Sequence, residues 1–257
     1  MPTDLRYEEH GHVGVITLDR PDARNALTYT TYAELEDAVR STTARCLVIT
    51  GADPAFCSGD DVKQVLSSAG ERLAQAGPRP PAITPAADAL LTSDVPVIAA
   101  INGAAIGWGV ELALMADLRV ASERARFGEL FVVRGLCCDV AGLGRLAQLV
   151  GRERAAELLF TGRVIDAVEA ERIGLVSRVV PHEDLLPTAM GLAEQIAANP
   201  PLVVQRLKRG LREALDPDWA TLGAWVTASL AELMQTEDHR EGVAAFLEKR
   251  APAFRGR

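Results

Sequence analysis

Short apolar runs rich in β-branched residues alternate with helix-spaced segments along the first half of the chain, and this alternation most narrows the folds open to it. Val13–Leu18 (VGVITL) and Cys46–Thr50 (CLVIT) read as buried strands closed by turn residues. Between them, Thr28–Val39 carries Tyr32, Leu35 and Val39 at helical spacing, with Thr28 or Thr30 able to cap its N-terminus. A third run, Val95–Ile101, leads through Asn102-Gly103 into Gly107–Met115, where small residues give way to a helix, and Leu118–Ala121 reads as a further short strand. The expected class is α/β. From Pro200 the pattern turns purely helical, with Leu202, Leu207, Leu211 and Leu215 on one helix and Trp225–Met234 forming another. The expected division is a core over 1–199 and a helical subdomain over 200–257. Ser67–Pro85, dense in small residues and prolines, is expected to be a surface excursion and the most mobile part.

Composition excludes several function classes. With 27 Lys+Arg against 35 Asp+Glu and a formal charge of −8, the chain lacks the basic footprint of a nucleic-acid-binding protein. At 48% hydrophobic and 24% charged it has the balance of an ordinary globular protein able to bury a core. Its longest apolar stretch is interrupted by Pro96, Asn102 and Gly103 and falls short of the roughly 20 residues needed to cross a bilayer. Cysteines 46, 57, 137 and 138 have no paired metal-ligand spacing, so no metal site is expected, and the opening MPTDLRYEEH has no signal-peptide pattern. A reducing, cytoplasmic compartment without membrane partners is the expectation.

Three stretches can carry chemistry. In GADPAFCSGDDV (51–62) a strand ends in a Gly-containing turn that can face backbone N–H groups outward near Ser58–Asp60; the plainer alternative is a turn in which Asp60 or Asp61 caps the next helix. In INGAAIGWGVELALMAD (101–117) small residues admit a close approach, and a helix starting near Trp108 points N–H groups and a positive dipole end outward; simple helix-to-sheet packing is the alternative. Glu111 sits one turn into that helix among Val110, Leu112, Ala113 and Leu114. Burial there would raise its pKa toward the range useful for proton transfer, whereas on a solvent face it would merely complement the dipole. In FGELFVVRGLCCDVAGLGRLAQLVG (127–151), Asp139 precedes a helix-spaced run over 140–150 and reads as an N-cap or as a second acid aimed at the same pocket. Adjacent Cys137 and Cys138 read as buried small residues, and histidines 10, 12, 182 and 239 lie outside all three stretches, which leaves a His-based triad unsupported.

Taken together, RPDARNAL (20–27), AFCSGDDV (55–62), INGAAIGWGVELALMADLRVA (101–121), AVEAERIGLVSRVVP (167–181) and EGVAAFLEKRAPAF (241–254) resemble, in order, segments of the crotonase or enoyl-CoA hydratase/isomerase superfamily. The resemblance implies a spiral of ββα units with a C-terminal helical region used in trimerisation, as a homotrimer or a dimer of trimers. It implies an acyl-CoA substrate, with coenzyme A entering as part of the thioester and no cofactor bound permanently. It makes the backbone N–H groups of Asp60 and Trp108 the oxyanion donors, and places Arg24, Ala26, Ser58, Asp61, Val62 and Gly107 along the CoA. Phe246 and Lys249 match positions that reach a CoA held by a neighbouring chain.

One departure from the family pattern and one agreement with its isomerases shape the expected reaction. Family hydratases use two glutamates; the first matches Glu111 and the second falls at Phe131. Asp139 falls where several isomerase members carry an aspartate. The resemblance therefore favours isomerisation of an enoyl- or dienoyl-CoA by Glu111 and Asp139, with a hydratase of modest efficiency and a non-catalytic acyl-CoA-binding homologue as alternatives. Trp108 and Asp60, standing where the family commonly has smaller residues, still supply their N–H groups.

Overall fold

The computed structural model describes residues 3–62, 64 and 83–257. In chain order the elements are β1 (Leu5–His10), β2 (Val13–Leu18), α1 (Tyr29–Ser41), β3 (Cys46–Gly51), β4 (Ala55–Cys57), α2 (Pro85–Thr92), β5 (Val97–Ile101), β6 (Ala104–Ile106), α3 (Trp108–Met115), β7 (Leu118–Ser122) and β8 (Arg126–Gly128). They continue with α4 (Val140–Gly144), α5 (Leu146–Val150), α6 (Arg152–Thr161), β9 (Ile165–Asp166), α7 (Ala167–Arg172), β10 (Arg178–Val180), α8 (Leu185–Ala197), α9 (Pro201–Leu215), α10 (Trp219–Leu233) and α11 (Glu237–Glu248).

The expected strands form, and so does the expected cap: Thr28 accepts from the Thr31 N–H while Thr31 answers the Thr28 backbone. A six-stranded sheet runs β1-β2-β3-β5-β7-β10, parallel throughout except for the β1–β2 hairpin. Its strands read as continuous apolar runs because both faces are covered. Val13 and Val15 of β2 pack with Leu185, Ala189 and Ala193 of α8, while Ile16 and Leu18 join Leu35, Val39, Leu112 and Leu114 in the other core cluster.

A second sheet, β4-β6-β8-β9, stands beside it. Strands β3, β5 and β7 lead directly into β4, β6 and β8, so the small sheet gathers the loops that leave the large one. These three-residue strands are absent from the sequence reading, because a run so short shows no period. Of the expected surface excursion, residues 67–82 lie outside the described residues.

One expectation is corrected. Residues 140–150 form two short helices rather than one, parted at Arg145, whose φ of −111° leaves the helical range. Leu202, Leu207, Leu211 and Leu215 of α9 all face outward. Helix α9 docks by its basic side: Lys208 Nζ reaches the Val95 carbonyl at 2.7 Å and Asp117 at 2.8 Å, and Arg209 and Arg212 pair with Asp94. Among the described residues no helix is long and apolar enough to cross a membrane.

Candidate active site

Two loops meet at the edge of the small sheet. The first is braced by Asn25, which donates to the carbonyls of Ala52 and Ala55 at 2.8 and 2.7 Å. A parallel bridge joins Leu27 to Asp60 through the Gly59 carbonyl and the Asp61 N–H, leaving Asp60's own N–H outside it. Gly59 holds φ +88°, and a Cβ there would meet the Ile106 carbonyl oxygen at 2.8 Å and the Trp108 nitrogen at 3.5 Å. The turn thus brings Asp60 against the start of α3. As the first residue of that helix, Trp108 has an N–H with no partner in the helical ladder.

Beside these N–H groups the side chains form a partly buried hydrogen-bonded network. The Tyr32 hydroxyl donates to Asp60 Oδ1 at 2.6 Å, and the Tyr32 and Trp108 rings meet edge to face with centroids 4.7 Å apart. Trp108 Nε1 donates to Asp139 Oδ2 at 3.1 Å, so the indole anchors an acid. Asp139 also caps α4 by accepting from the Val140 N–H at 2.7 Å, the capping role read for it in the sequence. Glu111 is fully buried and both its oxygens accept main-chain N–H groups, from Asp139 and from Gly142, each at 2.8 Å.

Electrostatics in this nest run against ionisation. Burial, then the charges of Glu129 and Asp139, push Glu111 well above the usual carboxylate range despite the two N–H bonds. Burial raises Asp139, opposed by the Val140 and Trp108 bonds, and lifts Asp60 to about 6 against the Tyr32 bond. Glu129, just past the end of β8, is buried beside them, and among the described residues neither of its oxygens has a hydrogen-bond partner. Burial and the Asp139 charge raise it well above its ordinary 4.5.

That shift has a consequence for stability. A raised folded-state value means the unfolded chain gives up this proton first, so Glu129 destabilises the fold progressively as pH rises above 4.5 toward the folded-state value. Glu129→Gln keeps the shape and removes the effect. Its melting temperature is expected to fall less than the parent's between about pH 5 and about pH 8. An identical pH dependence in both proteins would show that Glu129 is ionised and compensated.

The nest backs onto a cleft of about 630 Å³. Arg24, Ala26, Ser58, Asp60, Asp61, Val62, Gly107, Trp108, Phe131 and Phe246 all line it. Asp61 additionally accepts from the Gln64 N–H at 3.2 Å and pairs with Arg20 at 3.1 Å, and the helix considered to follow it lies outside the described residues. Phe246 faces the cleft of its own chain, where α11 folds back onto the turn over 132–134 and His239 Nδ1 contacts the Arg134 carbonyl at 2.8 Å. Lys249, in the left-handed conformation that ends α11, is not part of this chain's cleft wall. The placement of the two acids differs from expectation. Glu111 and Asp139 lie behind the wall, with Trp108 and Phe131 at its surface.

Sequence reasoning missed Glu129, Tyr32 as a hydrogen-bond donor, and Arg134, which joins the cleft wall. Glu129 carries the same signal that singles out Glu111, a lone acid among apolar neighbours, while nothing in the sequence pairs Tyr32 with Asp60.

Comparison with known proteins gives one answer. The family described as Enoyl-CoA hydratase/isomerase matches residues 8–257. A short-chain-enoyl-CoA hydratase of Clostridium acetobutylicum is 35% identical over 251 residues, covering 95% of this chain and 94% of its own length. Among solved structures, carnitinyl-CoA hydratase from Mycobacterium avium has 35% identity, a TM-score of 0.84 and full coverage of both chains. A monofunctional enoyl-CoA isomerase from M. smegmatis has 32% identity and a TM-score of 0.69, covering 92% of this chain and 100% of its own. A match across almost the whole chain, on a fold built of paired ββ units and a cleft floored by two loops, makes this protein a member of the enoyl-CoA hydratase/isomerase family.

Proposed function

We propose that the chain is an enoyl-CoA isomerase that moves a double bond through an enolate or dienolate. The observation that carries this reading is the enclosed setting of Glu111: fully buried, its oxygens held by main-chain N–H groups, behind a wall of Trp108 and Phe131. Such a base offers little room to hold and activate a water, and it exchanges protons with carbon once the acyl chain enters past the Trp108 and Phe131 surface. The thioester oxygen sits between the N–H groups of Asp60 and Trp108, where preformed donors favour the charge that develops as the α-proton leaves. Glu111, its affinity for protons raised by burial, takes that proton. Asp139, linked to Glu111 through its own N–H and oriented by the Trp108 indole, returns one to the γ-carbon. No resident cofactor is required, since coenzyme A arrives with the substrate.

Asp139→Asn tests the second role. Migration of the double bond in a 3-enoyl-CoA is expected to slow by about 10²-fold or more, the lower range for a proton-transferring side chain. Exchange of the α-proton with solvent deuterium should persist, because Glu111 remains. An unchanged migration rate would remove Asp139 from the mechanism.

A hydratase is the second reading. It is favoured by Glu129, a second carboxyl beside Glu111, and by the hydratase names that several relatives carry. Water addition to a 2-enoyl-CoA that is lost in Glu129→Gln would support it. The outward leucines of α9 support a further proposal, that 200–257 forms the appended helical region through which a trimer assembles.

A further inference from the structure

Three arginines stand in the cleft wall, and they differ in what holds them. Arg20 is neutralised by Asp61 at 3.1 Å and Asp4 at 3.5 Å. Arg24 is exposed, where a hydrated phosphate can reach it. Arg134, closing the turn over 132–134, is half-buried and has no ion pair among the described residues. Its guanidinium carbon lies 4.5 Å from the centre of the Phe246 ring, and its Nε is buried with no hydrogen-bond partner among the described residues. Asp60 is the carboxylate that acts on it electrostatically, and that carboxylate is already engaged by Tyr32. A desolvated guanidinium with an idle donor is costly unless something anionic completes it.

The apolar groups around it say what that anion is attached to. Phe131, Leu136 and Phe246 line the cleft with Arg134 and make a wall suited to an acyl chain. We infer that Arg134 is a specificity-determining residue that binds a carboxylate at the far end of the acyl group, so that the preferred substrates are thioesters of dicarboxylic acids. The inference rests on the acyl-CoA reading above and adds the substrate class. The planar fork of arginine matches a carboxylate in a bidentate geometry, and the Phe246 ring fixes its plane.

Binding, rather than turnover, tests this separately from the reaction. Dissociation constants would be measured by calorimetry for a saturated medium-chain acyl-CoA and for the thioester of equal length ending in a carboxylate. The parent protein should bind the carboxylate-bearing thioester about tenfold or more tightly, the worth of one charge-assisted contact. In Arg134→Met, which keeps an apolar stem on Phe246, that preference should collapse to near unity, and Arg134→Lys should retain part of it. A parent protein without the preference, or a preference that survives Arg134→Met, would overturn the inference. Equal weakening of both thioesters by Arg134→Met, disappearing when 3′-dephospho-CoA thioesters are used, would assign the residue to a CoA phosphate and overturn it too. Failure of both thioesters to bind would overturn the acyl-CoA reading and this inference with it.

Discussion

Glu111→Gln is expected to slow exchange of the α-proton of a bound acyl-CoA by about 10²–10⁴-fold, the range for a positioned general base. The geometry also predicts a structural cost. Both Glu111 oxygens accept main-chain N–H groups, and the amide nitrogen of Gln cannot accept, so either the Asp139 or the Gly142 N–H is left facing a donor. A buried unsatisfied N–H costs about 1–3 kcal/mol. Glu111→Asp avoids that conflict in kind, since it stays an acceptor, but withdraws the acid by one methylene. Both variants should be slow while still binding CoA, and their melting temperatures separate lost chemistry from lost fold. The pH dependence has a definite sign: a base must be unprotonated, so the parent's kcat/KM should rise with pH through a value well above the ordinary 4.5 of Glu. An α-exchange rate that survives both substitutions would remove Glu111 from the chemistry.

Gly109→Ala is expected to be the most damaging single methyl group in the site. Alanine is the better helix former by about 1 kcal/mol, so propensity alone would favour the change. The added Cβ, however, would lie 2.1 Å from the Cys57 carbonyl oxygen. That neighbour is backbone in β4 and cannot turn aside, so the steric term wins, and overpacking of this kind costs about 1–3 kcal/mol or more. The displacement falls between the loop carrying Asp60 and the helix carrying Trp108, which should spoil the spacing of the two donors. Loss of one such donor typically costs about 10²–10³-fold in kcat. A Gly109→Ala protein with parent-like melting temperature and turnover would show that the two loops have slack the structure does not display.

Legibility in the sequence depends on which signals are local. Strands β2 and β3 are legible because a strand buried on both faces is a continuous apolar run, and α1 because its cap and its apolar face are both written within a few residues. Strands β4, β6 and β8 are not, since three residues carry no period, although their Gly-rich continuations mark the loops that matter. Glu111 stands out from its apolar neighbours. Glu129 has the same signal, but it escapes notice where a matched position, Phe131, draws the eye two residues away. Asp139 reads both as a cap and as an acid near Glu111, yet its bond to Trp108 crosses 31 positions and leaves no local trace. That Phe246 lines the cleft of its own chain follows from where α11 turns back, and no residue type encodes that. The break at Arg145 is equally hidden, because Leu143, Leu146 and Leu149 keep helical spacing through it.

The central claim is that the acids behind the wall move protons along an acyl chain rather than add water to it. The direct measurement is product analysis of the purified protein in deuterated water, with a 3-enoyl-CoA and a 2-enoyl-CoA supplied separately. The expected result is conversion of the 3-enoyl to the 2-enoyl thioester with deuterium entering at the α- or γ-carbon, and little 3-hydroxyacyl-CoA from either substrate. Rapid formation of 3-hydroxyacyl-CoA from the 2-enoyl thioester, with no migration of the 3-enoyl double bond, would contradict it.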